Sequence, residues 1–393
     1  MRVSNYQNLN EDFFLRISIR QGPGVLKELP EYIRKRSLKR PAVVVDQNVM
    51  ALEPIQNLLL QLDTEGFNPL VFKYDLPFEP TYEALEEHRG KFVKNGHPIV
   101  DLFIGIGGGS SMDFAKGLAT LATNPGPALQ YRGFPTDLNP SLPNITVPTV
   151  AGSGAEITFN AVFIEEATKK KLGINTHYNY PLVAFVDLEV ARRCPLSVTL
   201  SSGMDALVHT ISGFASQKCG VLSRALFLEA FTLLFKAFPG VMKDPENLSL
   251  RSDMFTGSHL AAFGLQNAGS GPAGVIGDRL GNHYRISHGI AGGISLAHVV
   301  RCNVEKGYFG YADLYDRIEG ADRSLSREQK AWRFVDQIFW LQNECGVPQD
   351  LKKFGLTPDR VPAFLTLFEE SNFVQNPVPF LPGDVERIIL KLL

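Results

Sequence analysis

Short apolar runs alternate with helical patterns through the first half of the chain. Of all the features of the sequence, this alternation limits the possible folds most strongly. The runs cover residues 40–46, 68–75, 98–111, 144–154 and 182–188, and three segments of helical periodicity lie between them. An order of strand, helix, strand and helix predicts a parallel sheet covered on both faces, because parallel strands need long crossover connections. The first half is therefore predicted to be an α/β domain.

The pattern changes close to Pro195, which begins a turn. Beyond it β-branched runs become scarce, and long helical patterns take over at residues 223–238 and 328–346. A chain of 393 residues also exceeds what one hydrophobic core usually carries. We expect an α/β domain over residues 1–195 and an all-helical domain over residues 196–393.

The charge balance and the cysteines limit the class of protein. Lys and Arg number 39 against 41 Asp and Glu, which argues against nucleic acid or an anionic membrane as the main partner. Residues 1–16 have no apolar signal core, and no uncharged apolar run reaches about 18 residues, so no membrane span is expected. The four cysteines are widely spaced, which is typical of reduced thiols in a cytoplasmic protein.

A glycine-rich turn, GIGGGSSMDFAK at residues 105–116, follows a predicted strand and opens a predicted helix. Its consecutive glycines, Gly107, Gly108 and Gly109, let the backbone approach a ligand closely. Ser110 and Ser111 can cap the helix, whose first N–H groups and dipole favour an anion. The turn suits a pyrophosphate, although its spacing is neither GxGxxG nor a Walker A loop, and a purely structural tight turn is the alternative.

Two further features lie at the ends of predicted strands. Asp46 ends the run at residues 40–46, where an acid can bind a ribose diol and repel a 2′-phosphate. The alternative is an aspartate that initiates a turn. A second Gly/Ser/Thr-rich loop at residues 147–158 offers hydroxyl and N–H groups to a nucleotide or a substrate.

A metal-binding pair is suggested by Asp205 and His209, which lie four residues apart on one face of a predicted helix. His288, before a glycine, is a possible third ligand. Nitrogen and oxygen ligands together suit Zn²⁺ or Fe²⁺ rather than Ca²⁺. The alternative is an aspartate stabilised by the helix dipole and a histidine that is simply packed.

Four segments, taken in order, resemble the iron-containing (group III) alcohol dehydrogenase family, which has the dehydroquinate-synthase-like fold. They are GGGSSMDFAK (107–116), PTVAGSGAE (148–156), SSGMDALVHTISGFAS (201–216) and SHGIAGGISLAHVVRCN (287–303). The resemblance implies a Rossmann-like nucleotide-binding domain, an all-helical domain, and hydride transfer between NAD, or NADP, and a small alcohol or aldehyde. It also implies a divalent metal, Fe²⁺ or Zn²⁺, and an assembly of identical subunits.

The resemblance assigns residues to both cofactors. The pyrophosphate would be held by Gly107, Gly108, Gly109 and Ser110, while Asp46 would favour NAD over NADP. The rest of the cofactor site would be lined by Thr149, Ser153 and Lys171. Three of the four family metal ligands match Asp205, His209 and His288.

The chain departs from the family at one place. The family carries a His-x-x-x-His pair fourteen and ten residues before the last ligand, and these positions are Gly274 and Asp278 here. A glycine has no side chain to bind a metal. Asp278 could replace the lost ligand, act as a proton acceptor, or pair with Arg279, and a further alternative is that the site has lost its metal.

Basic residues close to this departure bear on the substrate. Arg279, His283 and Arg285 are either solvated surface charges or groups that select a polar or acidic substrate. Two other activities remain alternatives for the whole chain. One is an NAD- and metal-dependent lyase or cyclase of the dehydroquinate-synthase type, and the other is a reductase relative without a metal.

Overall fold

The computed structural model describes residues 12–76 and 79–393, so residues 1–11, for which we expect no signal segment, lie outside it. Contacts within the chain divide these residues into two compact units. The first unit comprises Arg16–Val150 and Gly154–Cys194. The second comprises residues 12–15, Ala151–Ser153 and Pro195–Leu393.

The first unit contains a six-stranded parallel sheet and a short antiparallel hairpin. The strands are β1 (Ile19–Gly22), β2 (Pro41–Asp46), β3 (Leu70–Tyr74), β4 (Val93–Lys94), β5 (His97–Pro98), β6 (Leu102–Gly107), β7 (Asn144–Pro148) and β8 (Ala184–Asp187). The sheet order is β1-β8-β7-β6-β2-β3, and β4 pairs with β5. All pairings within the six-stranded sheet are parallel, as the alternating sequence pattern predicts.

Helices cover both faces of this sheet. They are α1 (Leu29–Lys35), α2 (Glu53–Thr64), α3 (Tyr82–Arg89), α4 (Gly109–Thr123) and α5 (Leu188–Ala191). Successive residues of a strand point to opposite faces, so Val43 and Val45 of β2 join the core under α1 and α2. Ala42 and Val44 join the core under α3 and α4.

Strand β1 has no counterpart in the sequence prediction. Its four residues are only partly buried or exposed, and Arg20 and Gln21 interrupt any apolar run. The strand is nevertheless placed in register, with Ile19 opposite Ala184 of β8. Its position therefore depends on the hydrogen bonds offered by β8 rather than on its own hydrophobicity.

The second unit is helical, and no strand is assigned among its described residues. Its helices are α6 (Leu196–Ala215), α7 (Val221–Lys243), α8 (Leu248–Ala268), α9 (Pro272–Tyr284), α10 (His288–Glu305), α11 (Ala312–Tyr315), α12 (Arg327–Cys345), α13 (Val361–Leu365) and α14 (Pro382–Lys391). Helix α6 packs against α7, α8 and α10. This packing brings the metal-ligand candidates of the sequence together.

Helix α7 is long and apolar enough to cross a membrane by length and composition alone. Its sequence is interrupted by Arg224, Glu229 and Lys236. One side of the helix is buried in the unit, where Phe227 meets Gly213 of α6 and Gly264 of α8. A buried core helix satisfies the same test of length and composition.

Candidate functional site

The carboxyl ends of β2 and β6 lie side by side in the sheet, at the point where the chain changes direction. The chain leaves β2 toward β3 and leaves β6 toward β7, on opposite sides. In open α/β sheets ligands bind outside the carboxyl ends of the strands at such a switch point. Asp46 ends β2 and Gly107 ends β6, so two predicted cofactor residues meet there.

The glycine-rich turn can be formed only by a residue without a side chain at Gly107. This residue has φ of +141°, and an added Cβ would lie 2.7 Å from the Cβ of Asp46 and would collide with the Ser111 hydroxyl. Helix α4 then begins at Gly109, so the predicted capping by Ser110 and Ser111 is wrong. Both serines lie within the first turn, where Ser111 Oγ donates to the Gly108 carbonyl at 3.0 Å. The first N–H groups of a helix point beyond its N-terminus, and no side-chain cap is formed here, so these groups suit an anion at the turn.

Asp46 makes the contacts of an aspartate that initiates a turn, which was the alternative to a role in cofactor binding. Its Oδ1 accepts hydrogen bonds from the backbone N–H of Asn48 at 2.8 Å and from the Asn48 amide at 3.0 Å. Both bonds go to one oxygen, and the residue is only partly buried. The turn contacts and a role at a ribose are therefore compatible.

The three other predicted cofactor residues are held in different ways: Thr149 by a backbone hydrogen bond, Lys171 by an ion pair, and Ser153 at an exposed position. The Thr149 backbone N–H donates to the Gly107 carbonyl at 3.0 Å, which ties the loop after β7 to the glycine turn. Lys171 Nζ lies 2.9 Å from Glu79 Oε2 in an ion pair. Ser153 is exposed and is grouped with the second unit.

A fully buried lysine on α4 was not singled out from the sequence. Lys116 Nζ donates to the backbone carbonyls of Thr158 at 3.0 Å and Asn160 at 2.8 Å, and lies 3.4 Å from Asp113 Oδ1. Burial lowers the pKa of the Lys116 ammonium, and the Asp113 carboxylate opposes that shift. The pair anchors the loop that follows β7. The sequence signal was a Lys–Asp pair three residues apart within an apolar helix.

The three metal-ligand candidates lie together in the second unit. Asp205 and His209 are one turn apart on α6, and His288 is the first residue of α10. Asp205 Oδ1 is 3.5 Å from His209 Nε2 and 3.6 Å from His288 Nε2. All three potential ligand atoms lie within 4.8 Å of one another.

This arrangement fits a divalent metal. Two ligands bound about 2.1 Å from one ion at a tetrahedral angle are separated by about 3.4 Å. The observed separations of 3.5 and 3.6 Å are close to that value. Asp205 Oδ1 is also buried, with no hydrogen-bond partner among the described residues. A buried carboxylate oxygen facing two imidazole nitrogens is a donor set suited to Fe²⁺ or Zn²⁺.

Gly289 allows the close approach of α10 to α6 that places His288 beside Asp205. A Cβ added at Gly289 would lie 3.0 Å from the Cβ of Asp205 and would collide with the Ser201 carbonyl oxygen. Ser201 Oγ donates to Ser287 Oγ at 2.9 Å beside this contact. The glycine after His288 is therefore required by packing.

Gly274 and Asp278, the two positions at which the sequence differs from what the resemblance implies, lie on α9. Asp278 Oδ1 is 3.5 Å from Nδ1 of His288. Gly274 lies one helical turn earlier, and a Cβ added there would meet the Ser270 hydroxyl at 2.5 Å. Asp278 is not part of the three-residue group, and its predicted roles as metal ligand or proton acceptor stay predictions.

The basic residues near the end of α9 are largely at the surface. His283 and Arg285 are exposed, and Arg285 ends the helix in the left-handed region with φ of +54°. Partial burial lowers the pKa of His283, and the neighbouring Arg279 guanidinium lowers it further. Selection of an acidic substrate by these residues stays a prediction.

We expect Gly289→Ala to lower kcat/KM by about 10- to 100-fold, because small displacements of catalytic groups have effects of that size. The added methyl group would push α10 away from Ser201 and Asp205. Steady-state kinetics and metal content of the purified variant would measure the effect. Gly383→Ala on α14 is the matched control, since nothing lies within 4 Å of its added Cβ. Equal losses in both variants would contradict a specific role for Gly289.

Comparisons with known proteins identify the family of the chain. The model for iron-containing alcohol dehydrogenase matches residues 17–188, and the C-terminal model of the Fe-containing alcohol dehydrogenase family matches residues 199–393. Lactaldehyde reductase of Escherichia coli K12 is 27% identical over 345 residues, covering 87% of this chain and 88% of that protein. The 1,3-propanediol dehydrogenase of Klebsiella pneumoniae is 27% identical over 379 residues, covering 96% and 95%.

A solved structure shows the same fold over nearly the whole length. The alcohol dehydrogenase from Oenococcus oeni superposes with a TM-score of 0.90 at 25% identity, covering 98% of this chain and 100% of that chain. The two family models together span both the nucleotide-binding half and the helical half of the sequence. The chain therefore belongs to the iron-containing alcohol dehydrogenase family.

Proposed function

We propose that the protein transfers a hydride between NAD(H) and a small alcohol or aldehyde, assisted by a divalent metal. The observation that carries the proposal is the group of Asp205, His209 and His288 within one helical unit of a chain in this family. The relatives act as a lactaldehyde reductase and a 1,3-propanediol dehydrogenase, which supports a small aldehyde or alcohol as the substrate.

The first unit would hold the dinucleotide. NAD(H), when bound, supplies the hydride chemistry. The first N–H groups of α4 would bind the pyrophosphate, and Gly107 would let the backbone approach it. Asp46, beside Gly107, would accept hydrogen bonds from the ribose hydroxyls. Thr149 and Lys171 would line the remainder of the site in this unit, with Lys171 paired with Glu79. A role for Ser153, which belongs to the second unit, stays a prediction.

A cavity beside the Asp46 loop would accommodate the adenine. It has a volume of about 260 Å³ and lies between the start of α2 and the end of β8. Leu26, Leu52 and Leu58 give it apolar walls, and polar side chains complete its lining. Apolar walls with a few polar groups are typical of a pocket for a flat base.

The second unit would hold the metal through Asp205, His209 and His288. A divalent metal, when bound, supplies a Lewis acid that stabilises negative charge on the substrate oxygen. Asp205 would contribute a carboxylate oxygen to the ligand set, and the two histidines would contribute imidazole nitrogens. With Gly274 in place of a histidine, the three residues are the protein ligands that we propose.

An assay of aldehydes with NADH and NADPH, with and without added Fe²⁺ or Zn²⁺, tests the proposal. We expect steady oxidation of NADH at 340 nm that depends on the metal. A lyase or cyclase restores its NAD in each turnover and would show no net change. Metal content below about 0.2 per chain with metal-independent activity would instead favour a reductase without a metal.

The same assay addresses acidic substrates. Aldehydes with a carboxylate, sulfonate or phosphonate group would be compared with neutral ones. If Arg279 or Arg285 binds such a group, its replacement by alanine will raise KM for the acidic substrate alone. Unchanged kcat/KM for acidic aldehydes in both variants would exclude this role.

We expect Asp46→Ser to raise the ratio of kcat/KM for NADPH to that for NADH by at least about tenfold. A carboxylate about 4 Å from a 2′-phosphate is repelled by roughly 1 kcal/mol per unit charge even in water. Serine removes the charge but can still accept the Asn48 N–H bond that stabilises the turn. Steady-state kinetics with both cofactors would measure the ratio. An unchanged ratio would show that Asp46 acts only in the turn.

A further inference from the structure

The imidazole of His288 lies between two carboxylates, one at each ring nitrogen. Nε2 is 3.6 Å from Asp205 Oδ1, and Nδ1 is 3.5 Å from Asp278 Oδ1. We infer that Asp278 is a positioning residue, which accepts the Nδ1–H of His288 and so leaves Nε2 free to bind the metal. This inference rests on the proposed metal-assisted function.

The protonation of the ring follows from this arrangement. A neutral imidazole carries one N–H and one lone pair, so a ring whose Nε2 binds a metal carries its proton on Nδ1, beside Asp278. A metal-bound histidine commonly donates its other N–H to a carboxylate, which orients the ring and increases its basicity. Asp278 occupies that place for His288.

The backbone fixes both partners of this contact. Asp278 follows Gly277, where an added Cβ would lie 2.7 Å from the Gly292 backbone nitrogen of α10. His288 is the first residue of that same helix. The close contact of α9 with α10 thus sets the separation of the carboxylate from the ring, although 38% of the Asp278 side chain is exposed.

The geometry favours this role over those left open by the sequence. A fourth metal ligand would lie on the Nε2 side of His288, with the oxygen of Asp205, whereas Asp278 lies on the Nδ1 side. Asp278 and Arg279 are consecutive on a helix, so their side chains diverge by about 100°. The contact with His288 is the observation on which the inferred role of Asp278 rests.

Titration of the metal-free protein with Co²⁺ tests the inference. The affinity would be measured by competition with a chelator, and the visible spectrum of bound Co²⁺ would report the ligand set. In Asp278→Ala we expect the affinity to fall about 10- to 100-fold with unchanged band positions. Asp278→Asn keeps an acceptor oxygen and should lose less. Asp336→Ala, a surface aspartate on α12 that is 65% exposed, is the control.

Each other outcome would overturn a specific statement. Shifted bands in both Asp278 variants would show that Asp278 is itself a ligand. Affinities within about threefold of the parent protein, in folded variants, would show that Asp278 has no role at the site. Failure of the unmodified protein to bind one Co²⁺ per chain would refute the proposed metal-assisted function.

Discussion

Asp205→Asn is expected to lower kcat/KM for an aldehyde by about a thousandfold while the fold is retained. Asparagine has nearly the same shape, but it removes the negative charge that faces His209 and His288 at 3.5 and 3.6 Å. Charge stabilisation by a bound metal is worth several kcal/mol. Each 1.36 kcal/mol corresponds to a factor of about ten in rate, so three powers of ten are expected.

Kinetics with NADH and the metal content of the same preparation would test this expectation. Asp336→Asn on α12 is the matched control, because this aspartate lies in the same unit and its side chain is 65% exposed. Its activity and metal content should be unchanged. A variant of Asp205 that loses its metal but keeps its activity would show that the metal is not used in the reaction.

The largest effect on stability is expected for Lys116→Met. Removal of one partner from a buried ion pair costs about 3–5 kcal/mol, because the other charge remains buried without compensation. Here the loss would leave Asp113 and the carbonyls of Thr158 and Asn160 without their buried cation. Methionine fits the space of the lysine stem, so the change would report the charge rather than a cavity.

Urea unfolding followed by far-UV circular dichroism would measure this change in the free energy of unfolding. Lys35→Met is the control, since Lys35 on α1 is paired with Glu31 but is 71% exposed. Exposed changes of this type alter stability by less than about 0.5 kcal/mol. The double variant Lys116→Met with Asp113→Asn should lose less than Lys116→Met alone. A loss below about 1 kcal/mol in the single variant would refute the structural role of the pair.

Much of the sheet could be predicted because hydrophobicity encodes it. Strands β2, β6, β7 and β8 coincide with apolar runs because they lie inside the sheet and are buried on both faces. Strand β3 also coincides with a predicted run, although it lies at the sheet edge and is only partly buried. Strand β1 could not be found in this way, because its sequence has no apolar run. Its place in the sheet follows from pairing with β8, which the sequence pattern does not show. The predicted capping of α4 by Ser110 and Ser111 was also wrong, since the turn at Gly107 lets the helix begin before these serines.

The metal group was predictable only in part. Asp205 and His209 are local neighbours on a helix, but their proximity to His288 follows from helix packing through Gly289. Sequence spacing identified Asp278 without showing which nitrogen of His288 it faces. The partners of Lys116 were not predictable, because they are backbone carbonyls of a distant loop and carry no residue signature.

The helical unit alone contains Asp205, His209 and His288, whereas Asp46 and the glycine turn belong to the sheet unit. Under the proposed function, the metal set and the part of the dinucleotide set formed by Asp46 and the glycine turn can therefore accumulate substitutions separately. Gly274 and Asp278 would illustrate such a change, since the resemblance implies histidines at these two positions while the segment GGGSSMDFAK keeps the pattern that it implies. In evolutionary terms, a division of this kind lets substrate and metal preference diverge among paralogues without the simultaneous loss of cofactor binding.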